Sequence, residues 1–558
     1  MTGEEALAWG AWAAGVRFVT GYPGTPSKGV FVALQRLKAT RPPFRQPPVF
    51  HWAPNEKIAL EMALGATLAG WPALVCVKSV GANVLLDALM TANLSGVPAP
   101  LVIALGDDPS AWTSQNEQDS RWLALMAEVP LLEPLGVEEA PWLMREAFRL
   151  SAEFALPVIV RFPKAFAQAQ GALREASDPV SWPERPSLPS IASGGNALRL
   201  HAELHRKMKA IAEAGRDSPL NRLRGGGPMA LLAVGFCATK VREVEERLGL
   251  DPEALFLLAL ATSSPLPHRW LAESLRGVER LLVVEEGEPI VETLLRSWAH
   301  REGWPGQVEG KGTGALPQEG ELTLRSIGQA LGRFVDIPEE ALEALPDPQR
   351  PQGLALRFCE DCPYPPLLEA LMTVCRTSGM EPVVAADPGC AVVAGPPYEV
   401  VRIKHSMGGS VNFIAALAKL EGNPRRRYIA LVGDSDFFHG ALLGILNAAH
   451  WRAPIALFVV DNGGAAFTGG QPHLGSGFDA EGHPMPPLSI EALLRAAGIP
   501  TQVVASQEAQ ELRRAVAWSL EAQGGPRALV YREPCPFVPL WTPEGLKPRK
   551  TEGKIVGE

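Results

Sequence analysis

"YIALVGDSDFFHG", residues 428–440, and "PIALFVVDN", residues 454–462, decide how this chain is read. Each is an apolar run that ends abruptly in polar residues, Gly433-Asp434 in the first and Asp461-Asn462 in the second. Continuous hydrophobicity is the pattern of a strand covered on both faces of a parallel sheet. The helical stretch "FFHGALLGILNAAHW" lies between them, so both polar ends fall at the carboxyl edge of that sheet, where open α/β folds bind ligands. Asp434, the amide oxygen of Asn462 and the backbone carbonyl of Gly464 are hard donors suited to Mg²⁺, and a cation held there would anchor a diphosphate. Taken singly, each has a plainer account: Asp434 as the cap of a helix beginning near Phe437, Asn462 as a turn residue. Pairing, spacing and strand-end placement together favour the cation.

The same alternation of apolar runs and helical stretches extends outward. In residues 1–170, "RFVTGYP", "VFHWA", "ALVCVKS", "APLVIALGDD" and "LPVIVRF" read as strands, and "NEKIALEMALGATLAG" and "GANVLLDALMTAN" as helices. Residues 171–227 form a connector, with the Pro/Ser/Gly stretch "SDPVSWPERPSLPSIASGGN" and the polar helix "LRLHAELHRKMKAIAEAG". A smaller α/β domain is expected over 228–340, then a linker, "DIPEEALEALPDPQRPQG", then a third α/β domain over 354–540 and a loosely held tail. The expected fold class is therefore α/β, with three domains and parallel sheets in the outer two.

Bulk properties exclude several classes. At 558 residues, 46% hydrophobic and 20% charged, the chain has ample core and no apolar run long enough to span a bilayer. Its net charge of −9, without a basic block, argues against nucleic acid. The opening "MTGEEALAWGAWAAG" lacks the basic flank and apolar core of a signal peptide, and the cytoplasm is the expected location. With 38 Arg, 14 Lys, 10 Asn and 52 Pro, the composition fits a heat-adapted source, and equally a biased genome composition.

The motif set resembles a known family. GD…DN at this spacing is similar to the metal-diphosphate motif of thiamine diphosphate enzymes, and "FTGGQPH" (467–473) looks like the 2-oxoacid:ferredoxin oxidoreductases. "GDSDFFHGALLGILNAAHW" resembles the α-subunits of indolepyruvate ferredoxin oxidoreductases. So do "GYPGTPS" (21–27), "NEKIALEMALGATLAG" (55–70), "VKSVGANVL" (77–85) and "SQNEQDSR" (114–121), in order along residues 3–540. The resemblance implies two thiamine-diphosphate-binding-type domains, pyrimidine-binding (1–170) and diphosphate-binding (354–540), flanking a transketolase C-terminal-like domain that carries "VVEEGEP" (283–289). It also implies that the two outer domains clasp the cofactor, across a dimer interface.

Residue by residue, the resemblance makes Glu56 the carboxyl group on the aminopyrimidine ring nitrogen. A carboxyl group in an apolar pocket holds a proton near neutrality, as that task requires. Glu56 also reads as a first-turn helix acid. Thr25 corresponds to the hydroxyl that binds the substrate carboxylate, while its place before Pro26 equally suits a helix N-cap. Gly433, Ser435, Gly408, Ser410 and His405 match the stretches around the diphosphate; the small residues let the backbone approach phosphate oxygens.

By itself the CxxC of Cys359 and Cys362 is a weak signal, open to a redox pair, half a zinc site or two buried thiols. Cys390 follows 28 residues on and Cys535 another 145. The family's domains that hold one proximal 4Fe-4S cluster carry four cysteines in this arrangement. Cys76, Cys237 and Cys375 fall outside it and read as core. Two departures stand out. The family's CPGCPH is here "CEDCPY", which sets Glu360 and Asp361 beside the cysteines, and the family's terminal two-cluster ferredoxin module is not in this sequence, which stops at "KIVGE". An onward electron path is therefore expected through another subunit or directly to ferredoxin.

The implied activity is oxidative decarboxylation of an aryl 2-oxo acid with coenzyme A. The implied partners are a smaller β-type subunit and ferredoxin, in a dimer of the large subunit or a heterotetramer. Two alternatives stay open: a non-redox thiamine diphosphate-dependent decarboxylase or carboligase, and a catalytically silent assembly subunit.

Overall fold

A strand that is apolar at every position needs cover on both sides, and the computed structural model provides it three times over. It describes residues 1–41, 46–172, 191–251, 255–347, 357–395 and 399–538, with the backbone of 540–542 and 545–547. Contacts divide the chain into two units, Met1–Phe50 with Glu56–Arg350, and His51–Asn55 with Pro351–Glu558.

The first unit carries two sheets. Its strands are β1 (Phe18–Gly21), β2 (Val49–Trp52), β3 (Ala73–Lys78), β4 (Leu101–Asp107), β5 (Leu131–Leu132), β6 (Val158–Pro163), β7 (Arg222–Arg224), β8 (Met229–Val234), β9 (Phe256–Leu260), β10 (Thr262–Ser264), β11 (Arg280–Val284) and β12 (Gln307–Glu309). One sheet runs β10-β5-β6-β4-β3-β1-β2, the other β12-β11-β8-β9-β7. Every residue of β3, β4 and β6 is buried, as the unbroken hydrophobic runs require. The second unit holds β13 (Glu381–Ala386), β14 (Val401–Lys404), β15 (Arg426–Gly433), β16 (Ala456–Asp461), β17 (Thr501–Val504) and β18 (Arg527–Arg532), in the order β14-β13-β15-β16-β18-β17, with every pairing parallel.

Three features differ from the sequence expectation. Thr262–Ser264, within the expected middle domain, pairs antiparallel with Leu131–Leu132 and so extends the first sheet. Residues 336–347, expected as linker, fold back instead: Leu342 and Leu345 are buried where Gly328 and Gly332 leave room for them on helix Leu324–Val335. Helix formation after β15 begins at Asp434, not Phe437, and opens into one wide π turn over Phe437–Ala441. Most of the expected Pro/Ser connector (173–190), part of the linker (348–356) and most of the tail lie outside the described residues.

The first unit is tied together by buried charge. Arg121 donates to both carboxylate oxygens of Asp119, to Glu285 Oε2 at 2.6 Å and to the carbonyls of Glu286 and Glu288. Arg161 donates to Asp107 at 2.7 Å and Glu133 at 2.5 Å, and Ser263 of β10 completes Glu133. The first two glutamates of "VVEEGEP", Glu285 and Glu286, are thus accounted for, since Glu286 takes Lys240 Nζ at 2.6 Å. Burial raises the Asp107 and Glu285 carboxyls against the pull of Arg161 and Arg121. At Asp119 burial acts in the same direction but is outweighed by both arginines, which hold it below the usual carboxylate range.

Removing one partner of such a network leaves an uncompensated buried charge. Arg161→Leu is expected to destabilise the unit by about 3–5 kcal/mol. Arg149→Ala, which breaks only exposed pairs with Glu146 and Glu153, should change it by less than about 1 kcal/mol. Thermal unfolding of the two variants beside the parent checks the contrast.

Candidate functional site

In the second unit the parallel register delivers four loops to one edge. Gly433 pairs with Val460 and Ala386 with Leu431, so Asp387, Asp434 and Asn462 leave the sheet side by side. Asp434 is 2% exposed and reaches across to the next loop: its Oδ2 accepts from Asn462 N at 3.0 Å and Gly463 N at 2.8 Å. Its Oδ1 accepts from Ser435 N at 2.8 Å, and His473 Nε2 lies 3.0 Å from Oδ2. Asp434 therefore binds the neighbouring strand's loop. The Asn462 side chain is buried, and its Oδ1 has no hydrogen-bond partner among the described residues. Gly464 is buried two residues on, where a side chain would meet Val538 and the Gln471 carbonyl.

Two further carboxyls crowd this edge. Asp387 Oδ1 accepts from Ser410 N at 2.9 Å, at the start of helix Gly409–Glu421, and burial raises its pKa to about 6. Burial, then the charges of Asp387 and Asp434, push the Asp436 carboxyl far above the usual range. Gly408 has φ +77° and sits against the π turn, where an added Cβ would lie 2.4 Å from the Gly440 and Ala441 backbone. His405 is exposed and faces the ring of Phe413 at 4.5 Å; the structure does not bring it to Asp434.

The four spaced cysteines converge at the same edge. Cys535 N donates to Asn462 O at 3.1 Å, so the loop after β18 is pinned to the loop after β16. Ionising any one thiol among Cys359, Cys362, Cys390 and Cys535 would act on the other three. Burial pushes Cys362 up to about 12 and raises Cys359, Cys390 and Cys535 as well. Tyr364 is buried within reach of the charges of Cys390 and Cys362 and of the Asp436 and Asp434 carboxyls, and burial, with these charges, raises its pKa. Cys76, Cys237 and Cys375 are buried, as expected of core thiols.

In the first unit, Glu56 begins helix Glu56–Leu68, is 5% exposed, and lies so close over Gly81 that a Cβ there would be 2.1 Å from Glu56 Oε1. Thr25 lies in a turn above the carboxyl ends of β3 and β4: the preceding Gly24 leaves room for Lys78, and Gly106 leaves room for Pro26. The helix cap falls on Ser27, with its first helical residue at Lys28. Lys78 is buried with Nζ on Thr113 O at 2.7 Å, and burial lowers its pKa to about 8.

Comparison with known proteins finds two domain matches and several relatives along the chain. The profile "Pyruvate flavodoxin/ferredoxin oxidoreductase, thiamine diP-bdg" matches residues 9–183, and "Thiamine pyrophosphate enzyme, C-terminal TPP binding domain" matches 391–530. "Indolepyruvate oxidoreductase subunit IorA" of Methanothermobacter thermautotrophicus is 33% identical over 516 residues, 89% of this chain and 80% of its own. The proteins of the same name from Archaeoglobus fulgidus and Pyrococcus abyssi are 31% and 30% identical, over 100% and 94% of this chain and 88% and 84% of theirs. The chain belongs to the IorA family. It is thus a thiamine diphosphate-binding chain of a 2-oxoacid oxidoreductase.

For an IorA-family chain, the sequence reading missed three side chains at the Asp434 edge. Asp387 was hidden in "ADPGC" as a neighbour of the cysteine, and Tyr364 as the residue after CxxCP. His473 was quoted only as the end of "FTGGQPH", and no spacing rule links it to Asp434. Its 3.0 Å approach depends on how the 463–476 loop folds back.

Gly408→Ala is expected to destabilise the second unit by about 1–3 kcal/mol, from the left-handed backbone and the clash with the π turn together. Gly65→Ala, helical with open space around it, should instead stabilise by about 0.5–1 kcal/mol. Thermal midpoints of the two variants measure the difference.

Proposed function

We propose that this chain is the catalytic large subunit of an enzyme that oxidatively decarboxylates an aryl 2-oxo acid onto coenzyme A, using thiamine diphosphate, Mg²⁺ and one 4Fe-4S cluster. The observation that carries the proposal is the pinning of Cys535 to Asn462, which sets the four-thiol group beside the Asp434 edge. A non-redox decarboxylase has no use for four thiols there.

The residues fit the groups they would hold. Asn462 Oδ1 is a buried hard donor with no partner among the described residues, next to an Asp434 carboxylate already fixed by three backbone N–H groups, which suits Mg²⁺. Gly433, Ser435, Gly408 and Ser410 would line a diphosphate at that edge. Four thiols within electrostatic reach of one another suit cluster ligation. In the overall reaction the 2-oxo carboxylate leaves as CO₂, the thiol of coenzyme A gains the acyl group, and two electrons and one proton are released, the electrons singly to two ferredoxins.

When bound, thiamine diphosphate supplies the electron sink for decarboxylation and the cluster the one-electron steps. Glu56 would face the aminopyrimidine ring nitrogen, and Gly81 keeps the space that its carboxyl group needs. Thr25 orients the substrate carboxylate. Asp434, Asn462 and the Gly464 carbonyl hold the cation. The names of the relatives support an indolepyruvate-type substrate.

Three measurements test the reading. Anaerobically purified protein should contain about four iron and four acid-labile sulfide per chain, lost in Cys535→Ser. Decarboxylation without iron, ferredoxin reduction or acyl-CoA would overturn the redox assignment. Glu56→Gln should lower kcat by about 100-fold or more with the fold intact; Gly81→Ala, which displaces the same carboxyl group, should follow it in direction. Asp434→Ala should abolish thiamine diphosphate binding by calorimetry, and undiminished binding would remove the cation site.

A further inference from the structure

Helix Gly194–Ala214 carries His201 and His205 four residues apart, which puts both imidazoles on one face, a turn from each other. Their ring centroids are 4.3 Å apart. Opposite them stands Glu128, just past helix Arg121–Met126. His201 Nε2 lies 2.9 Å from Glu128 Oε2, and His205 Nε2 lies 3.3 Å from Glu128 Oε1. All three donors fall within 4.8 Å of one another.

The base of this cluster is fixed. Glu128 has φ +53°, a left-handed conformation uncommon for a residue with a side chain. The buried amide of Asn93 donates to Ala127 O and Glu128 O, both at 2.7 Å, and holds the turn that aims the carboxylate at the two imidazoles. On the other side, Leu204 and Ile211 pack with Leu156 and seat the helix.

We propose that Glu128, His201 and His205 form a binding site for a divalent cation of borderline softness, Zn²⁺ being the type. The reasons are geometric and chemical. Two bonds of 2.0–2.1 Å at a tetrahedral angle place donor atoms about 3.3 Å apart, close to the separations observed here. Two imidazoles with one carboxylate suit Zn²⁺ and its neighbours, whereas Mg²⁺ and Ca²⁺ take oxygen ligands. Both rings are partly exposed, with side chains 46% and 60% accessible, so the cation enters from solvent and water fills its fourth position. Its effect is to fasten the connector helix to the turn after Met126. The site is separate from the cysteine group and does not depend on the proposed redox function.

The test uses chelator-treated full-length protein. Bound Zn²⁺ is counted by equilibrium dialysis and metal analysis in the parent, His201→Ala, His205→Ala and Glu128→Gln. Each variant should bind one equivalent less, or bind it at least about tenfold more weakly, an effect that even outer-shell partners produce. Co²⁺ substitution reads the ligands directly. The equivalent lost from the variants should carry only weak visible bands, without the intense thiolate charge transfer of a cysteine site. Equal stoichiometry and affinity in the parent and all three variants would overturn the proposal, as would a lost equivalent that carries the thiolate band. The altered side chains are partly exposed, and matching thermal midpoints in chelator establish that each variant is folded.

Discussion

The loop after β16 makes the main-chain contacts on which the candidate centre depends. Asn462 N and Gly463 N hold the Asp434 carboxylate, while Asn462 O takes Cys535 N. Three strands, β15, β16 and β18, thereby end in one hydrogen-bonded junction. Parallel pairing is what makes this possible, because it brings the carboxyl ends of successive strands to one edge. Each contact uses a backbone group that would otherwise go unpaired where the ladder stops.

The first unit solves a different problem. Its middle sheet is joined to its first through Thr262–Ser264 and through Arg121, which reaches Glu285 and two carbonyls of the following turn. Buried ion pairs contribute little net stability against a packed apolar alternative. They are directional, however, and an arginine with its donors satisfied by named oxygens accepts only one placement of its partners. The bland "VVEEGEP" segment and the "SQNEQDSR" segment turn out to be the two halves of one such network.

Much of this was readable in advance, and the reasons are specific. Unbroken runs such as "ALVCVK" and "YIALVG" announce strands buried on both faces, and the residue that ends each run marks the edge of the sheet. Asp434 and Asn462 could be grouped because strand ends are one-dimensional signals, and the four cysteines only through their resemblance to a family's arrangement. His473 and Tyr364 could not, since a loop that doubles back brings together residues with no periodic relation. Leu342 and Leu345 show the converse case: a proline- and glutamate-rich composition reads as linker, while two leucines find room over the glycines of a neighbouring helix. Placement of His405 followed from motif likeness alone, and the structure seats it against Phe413.

The link between Cys535 and Asn462 runs through peptide groups, so the separation between those two backbones is set by strand register and not by any rotamer. Chemistry and spacing are thereby decoupled. Side chains around the junction can vary in charge and shape while this main-chain contact keeps its length.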